Sequence, residues 1–490
     1  MRILSVDVGS SSVRAALHDG VGDHVPGTET KLDYELEYTA DGGAVKDVEE
    51  LLELVIRAVD RTLSQAGEDT GRIRGVAFST FWHAVLGLDR NGKPSTPVLT
   101  WADRRAAGTA RELRESMDEQ AVHRRTGCVL HSSYLPAKLL WLSRANAEAF
   151  ENSTLWVSPG EYFHGRLFGQ DNVAVGTSMA SATGLFDQNG KRWDEGVLDA
   201  LPIEESHLSP ISDEPLRGLQ DEWAERWPAL RDVPWFPASG DGACSNVGCG
   251  AVRKEQLALM VGTSGALRSL WKAGSVEIPD GPWCYRADGS RFVMGGALSN
   301  GGNLVGWLQD TLRLPALETA EESLDRMEPD SHGLTFLPLL AGERGPSWAD
   351  RANGTIVGLS MSTTPVEILR AAMESVALRF ALIARTLKET SPGEKEVIAT
   401  GGGLLGSPAW TRIMADCLGK PVTLSGVDEA SSRGAALLAL DALGELEIEE
   451  VEAPLGETYS PDEARHEVYK EALERQRRVY DAVLDATEQP

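Results

Sequence analysis

Cysteine is scarce. The five in the 490-residue chain (Cys128, Cys244, Cys249, Cys284 and Cys417) form no CxxC pair and no repeated spacing, which excludes a disulfide framework or a zinc ribbon and fits a reducing, cytoplasmic setting. Long apolar runs are also missing. No stretch of about 18 uninterrupted apolar residues occurs, and Asp7 and Arg14 break up the N-terminal MRILSVDVGSSSVR before a leader-like apolar core develops. Positive charge is short: 47 Lys and Arg against 74 Asp and Glu give a net charge of −27. Such a surface repels nucleic acid and anionic lipid, so neither a nucleic-acid nor a membrane partner is expected. Several signatures of catalysis are absent as well. There is no G-x-x-x-x-G-K-[ST] loop, no H-R-D or D-F-G pair, no H-E-x-x-H and no G-x-S-x-G.

What is present is an ordinary globular balance, 42% apolar and 25% charged, in a chain too long for one hydrophobic core; two domains of about 200 to 250 residues follow. Helix and strand patterns alternate in both halves, which points to an α/β class with mixed sheets. The turn-rich stretch 235–243 marks the boundary, giving domains 1–243 and 244–490. One helix start is well marked. Thr364 as N-cap, Pro365 at the first position and Glu367 three residues after the cap precede an apolar series at Val366, Leu369, Met373, Val376, Phe380, Ile383 and Leu387.

The chain carries an internal echo. An apolar run ends at Asp7-Val8-Gly9-Ser10-Ser11-Ser12 and resumes at Val13 to Leu17; half a chain later another ends at Gly262-Thr263-Ser264-Gly265 and resumes at Ala266 to Trp271. A strand–turn–strand unit of this kind aims backbone N–H groups and hydroxyls into one concavity, which suits phosphate oxygens. Gly9 admits close approach, Asp7 at the strand end can hold Mg²⁺ through water, and Arg14 can reach the same anion. Taken alone, such a turn is an ordinary hairpin; two of the same make fit a polyphosphate clamp.

A third feature is Thr400-Gly401-Gly402-Gly403-Leu404-Leu405-Gly406, followed by Ser407-Pro408. It satisfies G-x-G-x-x-G after a strand and has acids at Asp428 and Glu429, the pattern of a dinucleotide-dependent dehydrogenase. Ser407 and Pro408, however, put the helix start after the last glycine. Gly401, Gly402, Gly403 and Leu404 therefore read better as a flat wall for a nucleotide base and ribose.

These motifs, taken together, resemble the FGGY family of carbohydrate kinases, within the actin, hexokinase and heat-shock ATPase superfamily. DVGSSSVRA resembles its first phosphate motif, VGTSGALR the second and ATGGGLLGSPAW the adenosine motif, while SYLPAKLLWL and GTIVGLSMSTTPVEILRAAMES resemble its two signatures. The resemblance implies two ribonuclease-H-like domains with a cleft between them, ATP and Mg²⁺ as cofactors, and a small sugar or sugar acid as substrate. It places the catalytic aspartate at Asp241, a carboxylate between turn glycines able to take a proton from a sugar hydroxyl. Trp82-His83 falls where xylulokinases and gluconokinases carry Met-His and glycerol kinases carry Arg-Glu. WADRRA, DGACSNVGCGAV and GTSGALR look most like gluconokinase.

The expected activity is accordingly phosphorylation of D-gluconate to 6-phosphogluconate, with Asp241 as base and Trp82, His83 and Asp103 beside the sugar. Arg104, Arg105, Lys138 or Arg268 is expected to meet a substrate carboxylate. The expected nucleotide contacts are Gly9, Ser10, Ser11, Ser12, Arg14, Gly262, Thr263, Ser264 and Gly401 to Leu404, with the metal at Asp7. A ketopentose or polyol kinase, a dehydrogenase and a silent sugar-binding protein are the alternatives, and a homodimer is admitted.

Overall fold

The computed structural model describes residues 1–169, 173–340, 342–349, 352–390 and 395–487. In chain order, the elements that frame the site begin with β1 (Arg2–Val8), β2 (Ser12–His18), β3 (Thr30–Asp33), α1 (Val48–Ala66), β4 (Ile73–Thr80), α2 (Leu135–Ala145), β5 (Ser239–Gly240) and α3 (Asp241–Gly248). They continue with β6 (Gln256–Val261), β7 (Gly265–Lys272), α4 (Gly302–Thr311), α5 (Pro365–Thr390), β8 (Glu396–Thr400), α6 (Pro408–Leu418), β9 (Val422–Ser425), α7 (Ala430–Ala442) and β10 (Leu455–Tyr459).

Two compact units divide the chain. The first comprises Met1–Val252, Leu270–Val293 and Glu429–Glu452; the second comprises Arg253–Ser269, Met294–Asp428 and Ala453–Pro490. A cut at 243/244 falls inside α3, and α7 belongs with the first unit although it lies near the end of the chain.

In the first unit the strand order is β5-β4-β1-β2-β3. The β1–β2 hairpin is antiparallel, and β4 and β5 join in parallel register. β1 is buried along nearly its whole length because both faces are covered. α1 shows how sequence sets one of those layers. Asp47 caps it by accepting from the Glu49 and Glu50 N–H groups at 2.7 and 3.2 Å, and Leu51, Leu52, Val55, Ala58 and Val59 form its buried stripe. Thr62 ties that stripe to β2 by donating to the Ala15 carbonyl at 3.0 Å.

The second unit repeats the scheme. β6 and β7 form an antiparallel hairpin, β8 and β9 add in parallel, and β10 closes antiparallel on β9. The echo in the sequence is thus a repeated topology, a hairpin followed by two parallel strands. α5 starts as its capping pattern predicts: the Glu367 N–H donates to Thr364 Oγ1 at 3.3 Å and the Thr364 N–H to the Glu367 carboxylate at 2.7 Å. Leu369, Met373, Val376, Phe380, Ile383 and Leu387 are all buried. Among the described residues, no helix is long and apolar enough to cross a membrane, and the five cysteines are buried and form no disulfide.

Candidate active site

Register in the first unit brings the predicted acids together. Asp7, the penultimate residue of β1, lies opposite Arg14 on β2 and Ser79 on β4, and Ser79 in turn lies opposite Ser239 on β5. Three parallel strands therefore end side by side, the position where open α/β sheets bind ligands. The 9–11 turn is closed by the Gly9 N–H donating to the Ser12 carbonyl at 3.0 Å, and Ser10 Oγ accepts from Trp101 Nε1 at 3.0 Å. Ser11 is exposed, whereas Ser12 is buried with no hydrogen-bond partner for its hydroxyl.

Asp7 is only 3% exposed, and its Oδ1 accepts no hydrogen bond. Burial pushes its carboxyl up to about 6; the Ser79 hydroxyl and Arg14 pull it down, while the charges of Asp241 and Glu429 push it further up. Arg14 is shared, with its NH1 3.5 Å from Asp7 and its Nε 3.1 Å from Glu429. A buried carboxylate with an open lone pair and two acidic neighbours fits a hard divalent cation, which takes oxygen ligands and water.

Asp241 follows β5 directly and opens α3, half-buried, with its Oδ1 accepting from the Gly242 N–H at 2.8 Å. α3 is held in place by unusually close packing on α7. A Cβ added at Gly248 would lie 1.8 Å from the Ala430 carbonyl oxygen, and one at Gly434 would lie 1.8 Å from that of Cys244. Two backbones meet where no side chain fits. Arg433 stitches the same contact, donating to the Gly248 carbonyl at 2.8 Å.

Trp82 and His83 leave the end of β4. The Trp82 indole lies against Gly240, where a Cβ would sit 1.8 Å from Nε1, and it donates to the Ser178 carbonyl at 3.1 Å. His83 sits edge-on to Tyr134 and Tyr285 at 5.0 and 5.4 Å, and its Nδ1 is 2.7 Å from the Ala182 carbonyl. Asp103 is buried, but its carboxylate is already engaged by the Arg105 guanidinium at 2.6 Å and the Ala44 N–H at 3.2 Å. Of the cations considered for a substrate carboxylate, Arg105 is bound to Asp103 and lies over Trp141 at 4.5 Å. Lys138 is buried on backbone carbonyls, Arg268 is buried in β7, and Arg104 is exposed.

The second unit gathers its own set. Parallel pairing of β6 with β8 puts the 262–264 turn beside the 401–403 glycines, which follow the neighbouring strand. The turn is braced by α4, whose Gly302 N–H donates to the Gly262 carbonyl at 2.7 Å and whose Asn303 N–H donates to the Thr263 carbonyl at 3.1 Å. Thr263 is exposed, with Gly262 and Ser264 half-buried. Gly401 has a φ of +89°, and a Cβ there would lie 2.5 Å from the Val261 carbonyl oxygen, so only glycine fits. Nothing lies within 4 Å of a Cβ built at Gly402. The Leu404 side chain is fully buried, leaving the three glycines as the surface of that wall. A short helix, Gly402–Leu405, opens on the glycines themselves, contrary to the expected start after Gly406, and α6 follows it, with Ser407 Oγ accepting from the Trp410 N–H at 3.2 Å.

Sequence reasoning passed over Tyr134, Tyr285 and the pairing of Glu429 with Arg14. Tyr134 lies within the SYLPAKLLWL segment and was within reach of it. Glu429 drew notice only as the acid of a dehydrogenase pattern, and nothing local marks Tyr285.

Comparison with known proteins agrees with this architecture. Residues 2–248 match the N-terminal domain, and residues 257–443 the C-terminal domain, of the FGGY family of carbohydrate kinases. The chain is 31% identical over 472 residues to a gluconokinase of Bacillus subtilis, covering 93% of this chain and 91% of that one. It is 26% identical over 455 residues to a xylulose kinase of Lactococcus lactis, covering 90% and 88%. Among solved structures it resembles the gluconate kinase of Lactobacillus acidophilus, with a TM-score of 0.89 at 26% identity over 100% of this chain and 98% of that one. With two matched domains, a shared fold and full-length relatives that phosphorylate sugars, the chain belongs to the FGGY family of carbohydrate kinases and is a sugar kinase.

Proposed function

We propose that the protein phosphorylates a sugar acid, D-gluconate, at the expense of ATP, with Asp241 as the general base. The observation that carries this reading is that Asp7, near the end of β1, and Asp241, just past the end of β5, lie on the two strands that flank β4, the one buried with an open oxygen, the other half-buried at a helix start. Asp7, with Ser79 and Arg14 around it, would hold Mg²⁺ through water, and a bound Mg²⁺ would offset the charge of the transferring phosphoryl group. The backbone N–H groups and hydroxyls at Ser10, Ser11 and Ser12, and at Gly262, Thr263 and Ser264, suit phosphate oxygens. A Cβ at Gly9 would make only ordinary contact, 3.6 Å from the Ser12 carbonyl oxygen; the need for glycine there lies in the ligand's approach. Gly401 to Gly403 offer a flat face to the base. Trp82, His83 and Asp103 position the sugar, Asp103 by fixing Arg105. Asp241 accepts the proton of the attacking hydroxyl.

Gluconate is favoured over xylulose by the higher identity to gluconokinases, 31% and 29%, against 26% for the xylulose kinase of Lactococcus lactis. The test is ADP release with Mg-ATP across gluconate, xylulose, ribulose and glycerol. The highest kcat/KM on gluconate supports the assignment; a higher value on a ketopentose or polyol overturns the substrate while keeping the kinase.

A further inference from the structure

The structure assigns Lys138 as a positioning residue: its buried ammonium clamps the Trp82-His83 segment to the Trp101–Asp103 segment and holds His83 in a strained backbone conformation that faces it to the sugar. The assignment rests on the proposed role of these two segments in binding the acceptor.

Lys138 lies in the first turns of α2 and is fully buried. A lysine there costs several kcal/mol unless its donors are satisfied. Backbone takes two of its three. The Nζ donates to the His83 carbonyl at 2.5 Å and to the Thr100 carbonyl at 2.7 Å. His83 has a φ of +62°, a region that side-chain-bearing residues rarely occupy and that persists only where the surroundings impose it. Its ring is imposed on too, by the Ala182 carbonyl at Nδ1 and by the edges of Tyr134 and Tyr285.

The Thr100 contact extends the clamp. Thr100 Oγ1 donates to the Ala44 carbonyl at 2.8 Å, the Ala44 N–H donates to Asp103, and Trp101 donates to Ser10 of the phosphate turn. One ammonium thus connects both sugar-side segments to the turn proposed for phosphate. This arrangement also removes Lys138 from the set of cations available to a substrate carboxylate, because its Nζ is buried on two backbone carbonyls and burial pushes it down to about 7.

The test is Lys138→Met, which keeps the stem and removes the donors, with Lys138→Gln as a second variant should the first fail to fold. In a crystal structure of either, His83 is expected to relax to negative φ and the His83 and Thr100 carbonyls to separate; both unchanged would overturn the clamp, whatever sugar the enzyme uses. In kinetics, the acceptor KM is expected to rise about tenfold, as misplacement by a fraction of an ångström does, with KM for ATP within about twofold of wild type. The rise should be the same for sugar acids and for any uncharged polyol turned over. A loss confined to charged acceptors would overturn the proposal in favour of a direct grip on the carboxylate. Failure of wild type on gluconate, with turnover of another sugar, would defeat the substrate assignment and leave the His83 geometry as the decisive readout.

Discussion

Replacing Asp7 by Asn should stabilise the protein while stopping its chemistry. Asp7 is buried, its Oδ1 has no partner, and its carboxyl is raised from 3.8 to about 6. The folded state therefore holds this proton more tightly than the unfolded chain does, so stability falls as pH climbs from about 4 to about 6, and the full cost of the charged form is present above that. Two pH units correspond to about 3 kcal/mol at pH 8 and, by the same linkage, to about half of that at pH 5. Asn at position 7 carries no charge and escapes the cost at both. The first unit holds about 300 residues, and at ~2.1 cal/mol/K per residue this converts to a gain in Tm of about 5 °C at pH 8 and about half as much at pH 5. The assay is thermal unfolding by circular dichroism in EDTA without nucleotide, wild type against Asp7→Asn, at both pH values. No gain at pH 8, or a gain that does not shrink at pH 5, would refute the reasoning that burial rather than a settled salt bridge governs Asp7.

Other substitutions probe the packing behind the site. Gly434→Ala should cost about 3 kcal/mol in urea unfolding and lower expression, since its Cβ would sit 1.8 Å from the Cys244 carbonyl oxygen and the backbones of α3 and α7 must part; unchanged stability would contradict the close helix contact. Arg291 is buried and pairs with Asp288, Asp441 and Glu449 at 2.8 to 2.9 Å. Arg291→Ala should lower unfolding stability by about 2 to 3 kcal/mol, below the fully buried range because the three carboxylates are partly exposed. Thr364→Ala should remove about 1 kcal/mol by opening the capping box of α5, with no change in KM for either substrate.

Much of this was legible in the sequence because it rests on local chemistry. The two hydroxyl-glycine turns, the capping box at Thr364 and Glu367, and the helix start at Ser407-Pro408 are short-range signals, and each appears where the residues place it. What was not legible depends on residues far apart in sequence meeting in space. Asp7 and Asp241 gain their relation through parallel register with β4, α3 meets α7 across nearly 190 residues through Gly248 and Gly434, and Trp82 abuts Gly240. Charge pairing was the other blind spot. Asp103 and Lys138 look from sequence like groups free to meet a substrate, whereas Arg105 and two backbone carbonyls already engage them. Asn91-Gly92 between the runs 85–88 and 97–101 marks a hairpin in the sequence, and it forms, with Gly92 at a φ of +72° and antiparallel bridges Val85–Leu99 and Leu88–Pro94; that Leu86–Leu88 also pairs with Leu155–Val157 is announced by no local pattern.

The most direct test of the central claim is steady-state ADP release on gluconate with saturating Mg-ATP, comparing wild type with Asp241→Asn, alongside ATP affinity by calorimetry. If Asp241 is the base of a gluconate kinase, the variant loses activity by a factor on the order of 10² to 10⁴ while its ATP affinity stays within about threefold. Equal turnover in the two proteins would contradict the account.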